Sequence, residues 1–137
     1  MKKLIIALFV MIALAATGQA QPQGQTAKPA LISPKAARDL LASGKDALLV
    51  DVRTLEEFVA GRIAGSVLLP YDQITAASAA TLIGLNKDRT VIVYCRSGRR
   101  SEIAAATLAS LGYRKVLDLG GIGAWPYGTI SGQPKKP

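Results

Sequence analysis

The 137-residue chain contains no histidine and only one cysteine, Cys95. Without histidine there is no Cys–His catalysis and no zinc site of Cys and His, so no metal site is expected. With one cysteine, no disulfide can close within the chain. Aromatic residues make up only 5 % of the sequence, which leaves little on which nucleic-acid bases could stack. Acidic residues are scarce too: nine Asp and Glu stand against 17 Lys and Arg, a formal net charge of +8. Such a surface suits small anions or an anionic membrane face, and no nucleic-acid partner is expected. Lys28, Lys35, Lys135 and Lys136 read as solubilising charges.

What the chain does have begins with MKKLIIALFVMIALAATGQA. Lys2 and Lys3 precede an apolar run from Leu4 to Ala16, and Gly18-Gln19-Ala20 has the small-x-small form of a cleavage site. Residues 1–20 therefore read as a secretory signal peptide. The alternative, a retained anchor, is disfavoured because a spanning helix needs about 20 apolar residues. Cleavage removes two lysines and lowers the formal charge from +8 to +6. The mature protein is expected in the periplasm or outside the cell, with no stable membrane insertion. In that oxidising setting a leftover thiol either pairs between molecules or is reactive. A buried structural cysteine is the other option.

Residues 21–30 (QPQGQTAKPA) read as a flexible linker. Ser33-Pro34 looks like an N-cap followed by proline at the first helical position, opening a helix that runs through Leu41 and stops near Gly44. Ala47 to Val52 is a short, nearly all-apolar run, as in a strand covered on both faces. Thr54 and Glu57 fit a capping box for a helix ending near Gly61. Strands are expected at Ser66 to Leu69, Val91 to Tyr94 and Val116 to Leu119. Helices are expected at Thr75 to Gly84 and Glu102 to Leu111, the latter rich in alanines (104, 105, 106 and 109) that would let it lie close to a sheet. Strands alternating with helices imply crossover units and a largely parallel α/β sheet.

The segment Val91 to Ser101, VIVYCRSGRRS, carries the chemistry. Sites in open α/β sheets form beyond the carboxyl ends of strands, and Cys95 falls at such an end. Gly98 permits the unusual dihedral angles of a tight loop, so the backbone N–H groups of Arg96 to Arg100 can turn inward. A following helix N-terminus and the charges of Arg96, Arg99 and Arg100 add positive potential. Every one of these contributions favours thiolate over thiol, which makes Cys95 the expected nucleophile.

YCRSGRRS, together with DVRTLEEFVAGRIAGSVLLP (Asp51 to Pro70) and DLGGIGAW (Asp118 to Trp125), resembles a rhodanese domain. The small exported single-domain kind is the most similar, and the match spans Leu31 to Tyr127. The resemblance implies a three-layer fold with a central, mostly parallel five-stranded sheet and helices on both faces. The domain would occupy residues 31–128, and residues 129–137 a disordered basic tail. It also implies a thiosulfate sulfurtransferase that needs no cofactor. The Cys95 thiolate would take the outer sulfur of a small anionic donor such as thiosulfate, and a thiol or cyanide would accept it from the resulting persulfide. Arg96, Ser97, Gly98, Arg99 and Arg100 would form the persulfide cradle, and Ser101 would open the next helix. Asp51 and Arg53 would support the loop region as a structural ion pair. Trp125 is expected in core or rim packing. Arg62 stands where the family often has histidine, and its expected place is in solvent. Nothing demands more than a monomer.

Two rivals follow from the same residues. Phosphatases and arsenate reductases also use a cysteine in an anion loop, but their signature places five residues between cysteine and arginine. Here the sixth residue after Cys95 is Ser101, and Arg100 comes one position early. The other rival is a non-catalytic binding or sulfur-delivery module; the presence of Cys95 argues for chemistry, while a persulfide carrier that hands sulfur to another protein would have the same sequence.

Overall fold

Strand β4 (Thr90–Cys95) sits at the middle of the sheet, and Val91 to Cys95 are buried throughout. An apolar run with both faces covered is what a central parallel strand requires. The computed structural model that reveals this describes residues 28–134. The expected signal peptide, most of the expected linker and residues 135–137 lie outside the described residues.

The remaining elements are β1 (Ala30–Leu31), α1 (Pro34–Ala42), β2 (Ala47–Asp51), α2 (Leu55–Ala60), β3 (Val67–Leu68), α3 (Ala76–Leu82), α4 (Arg99–Ser110) and β5 (Lys115–Gly121). Single 3-10 turns follow β3 at Tyr71–Gln73 and β5 at Ile122–Ala124. The five strands run in the order β1-β5-β4-β2-β3, and every pairing is parallel. One core cluster packs Ala79 and Ile83 near α3, and Ala104, Ala105 and Leu108 of α4, onto Val50, Val91, Val93 and Cys95. The other packs Ala37 of α1 onto Leu49, Ile92 and Tyr94. Helices thus cover both faces of the sheet, giving the expected three layers.

Local chemistry explains the element starts. Ser33 Oγ accepts the Ala36 N–H at 3.2 Å, and Pro34 fills the first position of α1. Thr54 and Glu57 form the reciprocal capping box of α2. In α4, Ala104 and Ala105 face the sheet while Ala106 and Ala109 are exposed, so half of the expected alanine face does the packing.

The structure departs from the sequence reading in three places. β1 takes Ala30, a residue expected in the linker, because Ala30 and Leu31 pair with Leu117 and Asp118. Helix α4 begins at Arg99 rather than Glu102, because Gly98, at φ 100°, turns the chain straight into it. Residues 130 and 132, expected in a disordered tail, are hydrogen-bonded into the fold. Ile130 exchanges backbone hydrogen bonds with Arg62 at 2.8 and 2.9 Å, and the Gly132 N–H reaches the Val59 carbonyl at 2.9 Å.

Candidate active site

Cys95 is the last residue of β4, and its backbone pairs with Gly121 of β5. The chain leaves β4 through Arg96 and Ser97, both exposed, and turns at Gly98. The turn aims the Gly98 N–H at Cys95 Sγ, 3.0 Å away. Ser101, fully buried in the first turn of α4, sets its Oγ 3.5 Å from the sulfur and donates to the Gly98 carbonyl at 2.9 Å. One side of Sγ therefore meets the aliphatic core and the other a small polar cup.

These surroundings act in opposite directions on the thiol. Burial raises its pKa. The Ser101 hydroxyl, with the N–H groups of Ser101, Gly98 and Ser97, lowers it by more, so the net shift is downward. The three arginines were expected to share that work, and the structure places them otherwise. Arg96 and Arg99 are exposed. Arg100 is spent on Glu57, which accepts its Nη1 and Nη2 at 2.7 and 2.8 Å. The backbone and one hydroxyl acidify the sulfur most, because fixed dipoles at contact distance outweigh charges that water can screen, and of the three arginines Arg100 still couples to Cys95 by charge.

Glu57 has a second task. Its Oε2 also accepts the Thr54 N–H at 3.1 Å, so one carboxylate caps α2 and grips the loop. The Arg100 guanidinium holds the Glu57 carboxyl well down, to about 2. The capping box was legible in the sequence; the partner 43 residues away was not.

Asp51 and Arg53 stand at the exit of the neighbouring strand. Arg53 donates to Asp51 at 2.6, 2.9 and 3.2 Å through its guanidinium, and at 3.0 Å through its backbone N–H. It also donates to the Gly61 carbonyl at 2.6 Å. Asp51 is fully buried and Arg53 only 6 % exposed. Among the described residues neither bonds to the 95–101 loop. They brace the β2 exit and the end of α2, a structural ion pair beside the site. Above them the Tyr94 hydroxyl binds Ser66 Oγ and the Ile63 N–H, each at 3.1 Å, and burial raises its pKa.

Arg62 corrects an expectation. It is buried rather than in solvent, stacks 4.4 Å over the Phe58 ring and donates to the carbonyls of Phe58 and Gly132 at 3.2 and 2.7 Å. Trp125 is half-buried against the α1-side cluster and meets Tyr127 edge-on at 4.9 Å, as rim packing requires.

Sequence reasoning missed the role of Gly121. A Cβ there would lie 2.6 Å from the Arg96 carbonyl oxygen and 3.2 Å from Ser97 Cα, so only glycine lets β5 support the loop this closely. The signal was the Gly120-Gly121 pair, read only as a turn.

A family model described as "Rhodanese-like domain" matches residues 33–126. The chain is 45 % identical over 86 residues to a sulfurtransferase of Allochromatium vinosum, covering 62 % of this chain and 77 % of that one. It is 37 % identical over 99 residues to the thiosulfate sulfurtransferase GlpE of Ectopseudomonas mendocina, covering 69 % and 82 %. Some relatives are much longer. The chain spans 27 % of MoeZ of Mycobacterium tuberculosis, named a probable adenylyltransferase/sulfurtransferase, at 37 % identity over 107 residues, or 77 % of this chain. Among solved structures, the Alr3790 protein from Anabaena sp. superposes with a TM-score of 0.66 at 25 % identity, covering 74 % of this chain and 92 % of that one. A parallel sheet with a cysteine cupped by amides at the carboxyl end of its central strand, together with these likenesses, places the chain in the family of rhodanese-like domains, whose sulfurtransferase members it resembles.

Proposed function

We propose that the protein moves a sulfane sulfur from thiosulfate, or a similar anionic donor, to a thiol or cyanide through a persulfide on Cys95. The observation that carries this reading is the Gly98 N–H pointing at Sγ from 3.0 Å, with Ser101 Oγ on the same side. Sγ, as thiolate, attacks the outer sulfur of thiosulfate. The S–S bond of the donor breaks, and its electron pair leaves with sulfite. A new S–S bond joins Cys95 to the transferred sulfur, which carries one negative charge. An acceptor thiolate or cyanide then attacks that outer sulfur, and the electron pair of the breaking bond returns to Sγ. The sulfur is never without amide donors, so neither step leaves an unsolvated anion.

Cys95 has none of its surface exposed, so reaction requires a local movement that opens the sulfur to solvent. Exposed Arg96 and Arg99 then draw in the dianionic donor. The Glu57 clamp on Arg100 argues against phosphate chemistry, since that guanidinium is not free to bind a tetrahedral anion. We further propose that residues 1–20 direct export to the periplasm or beyond and that the mature protein acts as a monomer. N-terminal sequencing and light scattering of the protein isolated from its host test these two points.

The central test is intact mass after exposure to thiosulfate. Wild type gains one sulfur atom and Cys95→Ser gains none. A gain in the serine variant removes Cys95 as the nucleophile.

A further inference from the structure

A cleft of ≈ 580 Å³ opens at the same carboxyl edge of the sheet as Cys95, at β3, two strands from β4. It lies between the first turn of α2, the end of β3, the 3-10 turn after it, and α3. Its apolar lining includes Leu55, Leu68, Pro70 and Leu82, and its charged lining is Glu56 and Asp72 with no lysine or arginine. Leu55 and Leu82 are 48 % and 41 % exposed. Among the described residues neither Glu56 nor Asp72 forms an ion pair, although the chain carries 17 basic residues to nine acidic ones. Two connections tie the cleft to the sulfur. Glu57, next to Glu56, holds Arg100. Tyr71, next to Asp72, packs on the core cluster that contains Cys95.

The cleft does not suit the sulfur donor. Two unpaired carboxylates repel a dianion, and the volume far exceeds the few atoms of thiosulfate or cyanide. It suits a larger occupant with apolar and positively charged groups. We propose that this cleft seats the sulfur acceptor: a polypeptide segment that carries its thiol close to lysine or arginine and to an aliphatic side chain. The proposal rests on the persulfide reading of Cys95. Once the segment is seated, its thiolate attacks the outer sulfur of the Cys95 persulfide. The bond to Sγ breaks, Sγ regains the electron pair, and the acceptor leaves as the persulfide.

The test loads the full-length protein with thiosulfate, confirms the added sulfur by mass, and follows its discharge by two peptides, Lys-Leu-Lys-Cys and Glu-Leu-Glu-Cys. The whole-molecule charge and exposed Arg96 and Arg99 favour the acidic peptide, so long-range attraction and the cleft predict opposite orders. The basic peptide is expected to discharge the sulfur about fivefold faster, the return of two exposed ion pairs. In a Glu56→Gln, Asp72→Asn variant that preference vanishes, while loading by thiosulfate and discharge by 2-mercaptoethanol keep their wild-type rates. An equal or faster acidic peptide, or a preference that survives in the variant, overturns the proposal. If no sulfur is loaded, the persulfide reading itself fails, and this proposal with it. Gln133 lines a neighbouring pocket together with Leu55 and Glu56, so this chain's own basic end is a competing occupant to be tested. Faster basic-peptide discharge after removal of residues 134–137 would assign the cleft to that end and overturn the proposal. A rate per molecule that falls as protein concentration rises would assign it to a second copy, with the same consequence.

Discussion

Strands β2 and β4 lie side by side, with Asp51 opposite Tyr94, yet their exits are built on opposite principles. At the β2 exit a buried carboxylate and a buried guanidinium satisfy one another, and the Gly61 carbonyl takes a further N–H of Arg53. The Asp51 carboxylate and the Nε and Nη2 of Arg53 are thereby committed to the frame. At the β4 exit the balance is reversed. One sulfur atom faces the N–H groups of Ser97, Gly98 and Ser101, more donors than a neutral thiol uses. The first exit is a frame and the second a receptacle. A surplus of donors around an otherwise buried atom marks the place where charge is meant to arrive.

Breaking the frame should have the largest effect. Arg53→Leu leaves Asp51 buried without its partner and is expected to lower stability by about 3–5 kcal/mol, read from urea unfolding. A loss below about 1 kcal/mol would show that the β2 exit is solvated and that the contrast between the exits is false.

Disturbing the receptacle should spare stability and damage chemistry. Gly121→Ala drives a methyl group into the Arg96 carbonyl, 2.6 Å away. Misplacing a reacting group by about 1 Å can cost a hundredfold, so sulfur loading is expected to fall by about that factor while the fold survives. Wild-type loading in this variant would mean that the loop's position against β5 is unimportant.

The clamp between the regions comes next. Glu57→Gln keeps a cap for α2 but removes the charge facing Arg100, at a cost of about 1–2 kcal/mol for a part-buried, charge-assisted pair. The folded-state pKa of Glu57, about 2, lies below the ordinary 4.5. The stabilisation is therefore complete above pH 4.5 and lost as pH falls towards 2, and over that interval wild type and variant should converge. Parallel stability curves across that range would remove Glu57 as the acid-sensitive link.

The smallest effects sharpen the account of the thiol. Ser101→Ala should raise the Cys95 pKa, read from thiolate absorbance, because the hydroxyl is the largest influence lowering it. Arg96→Ala and Arg99→Ala should leave that titration unchanged and slow loading only at low salt, as exposed charges do. A raised pKa in either arginine variant would return those side chains to the cup.

Much of this was legible because it is local. The apolar run of Ala47 to Val52, the Thr54–Glu57 box and the position of Cys95 at a strand end all depend on neighbours within a few residues. The failures share the opposite cause. The Arg100 side chain is committed by Glu57, and Arg62 is drawn inward by Phe58 four residues back and by Gly132, 70 residues on. A run of arginines reveals total charge but not where each side chain points. Two-residue β1 is too short to carry a period and exists only because β5 offers it partners.

The outermost strands have a consequence beyond the site. Ala30–Leu31 closes one border of the sheet and Val67–Leu68 the other, each only two residues long. A strand so brief presents few unpaired backbone groups of its own to template a stranger. The sheet therefore ends on each side in a strand that offers a neighbour little to pair with.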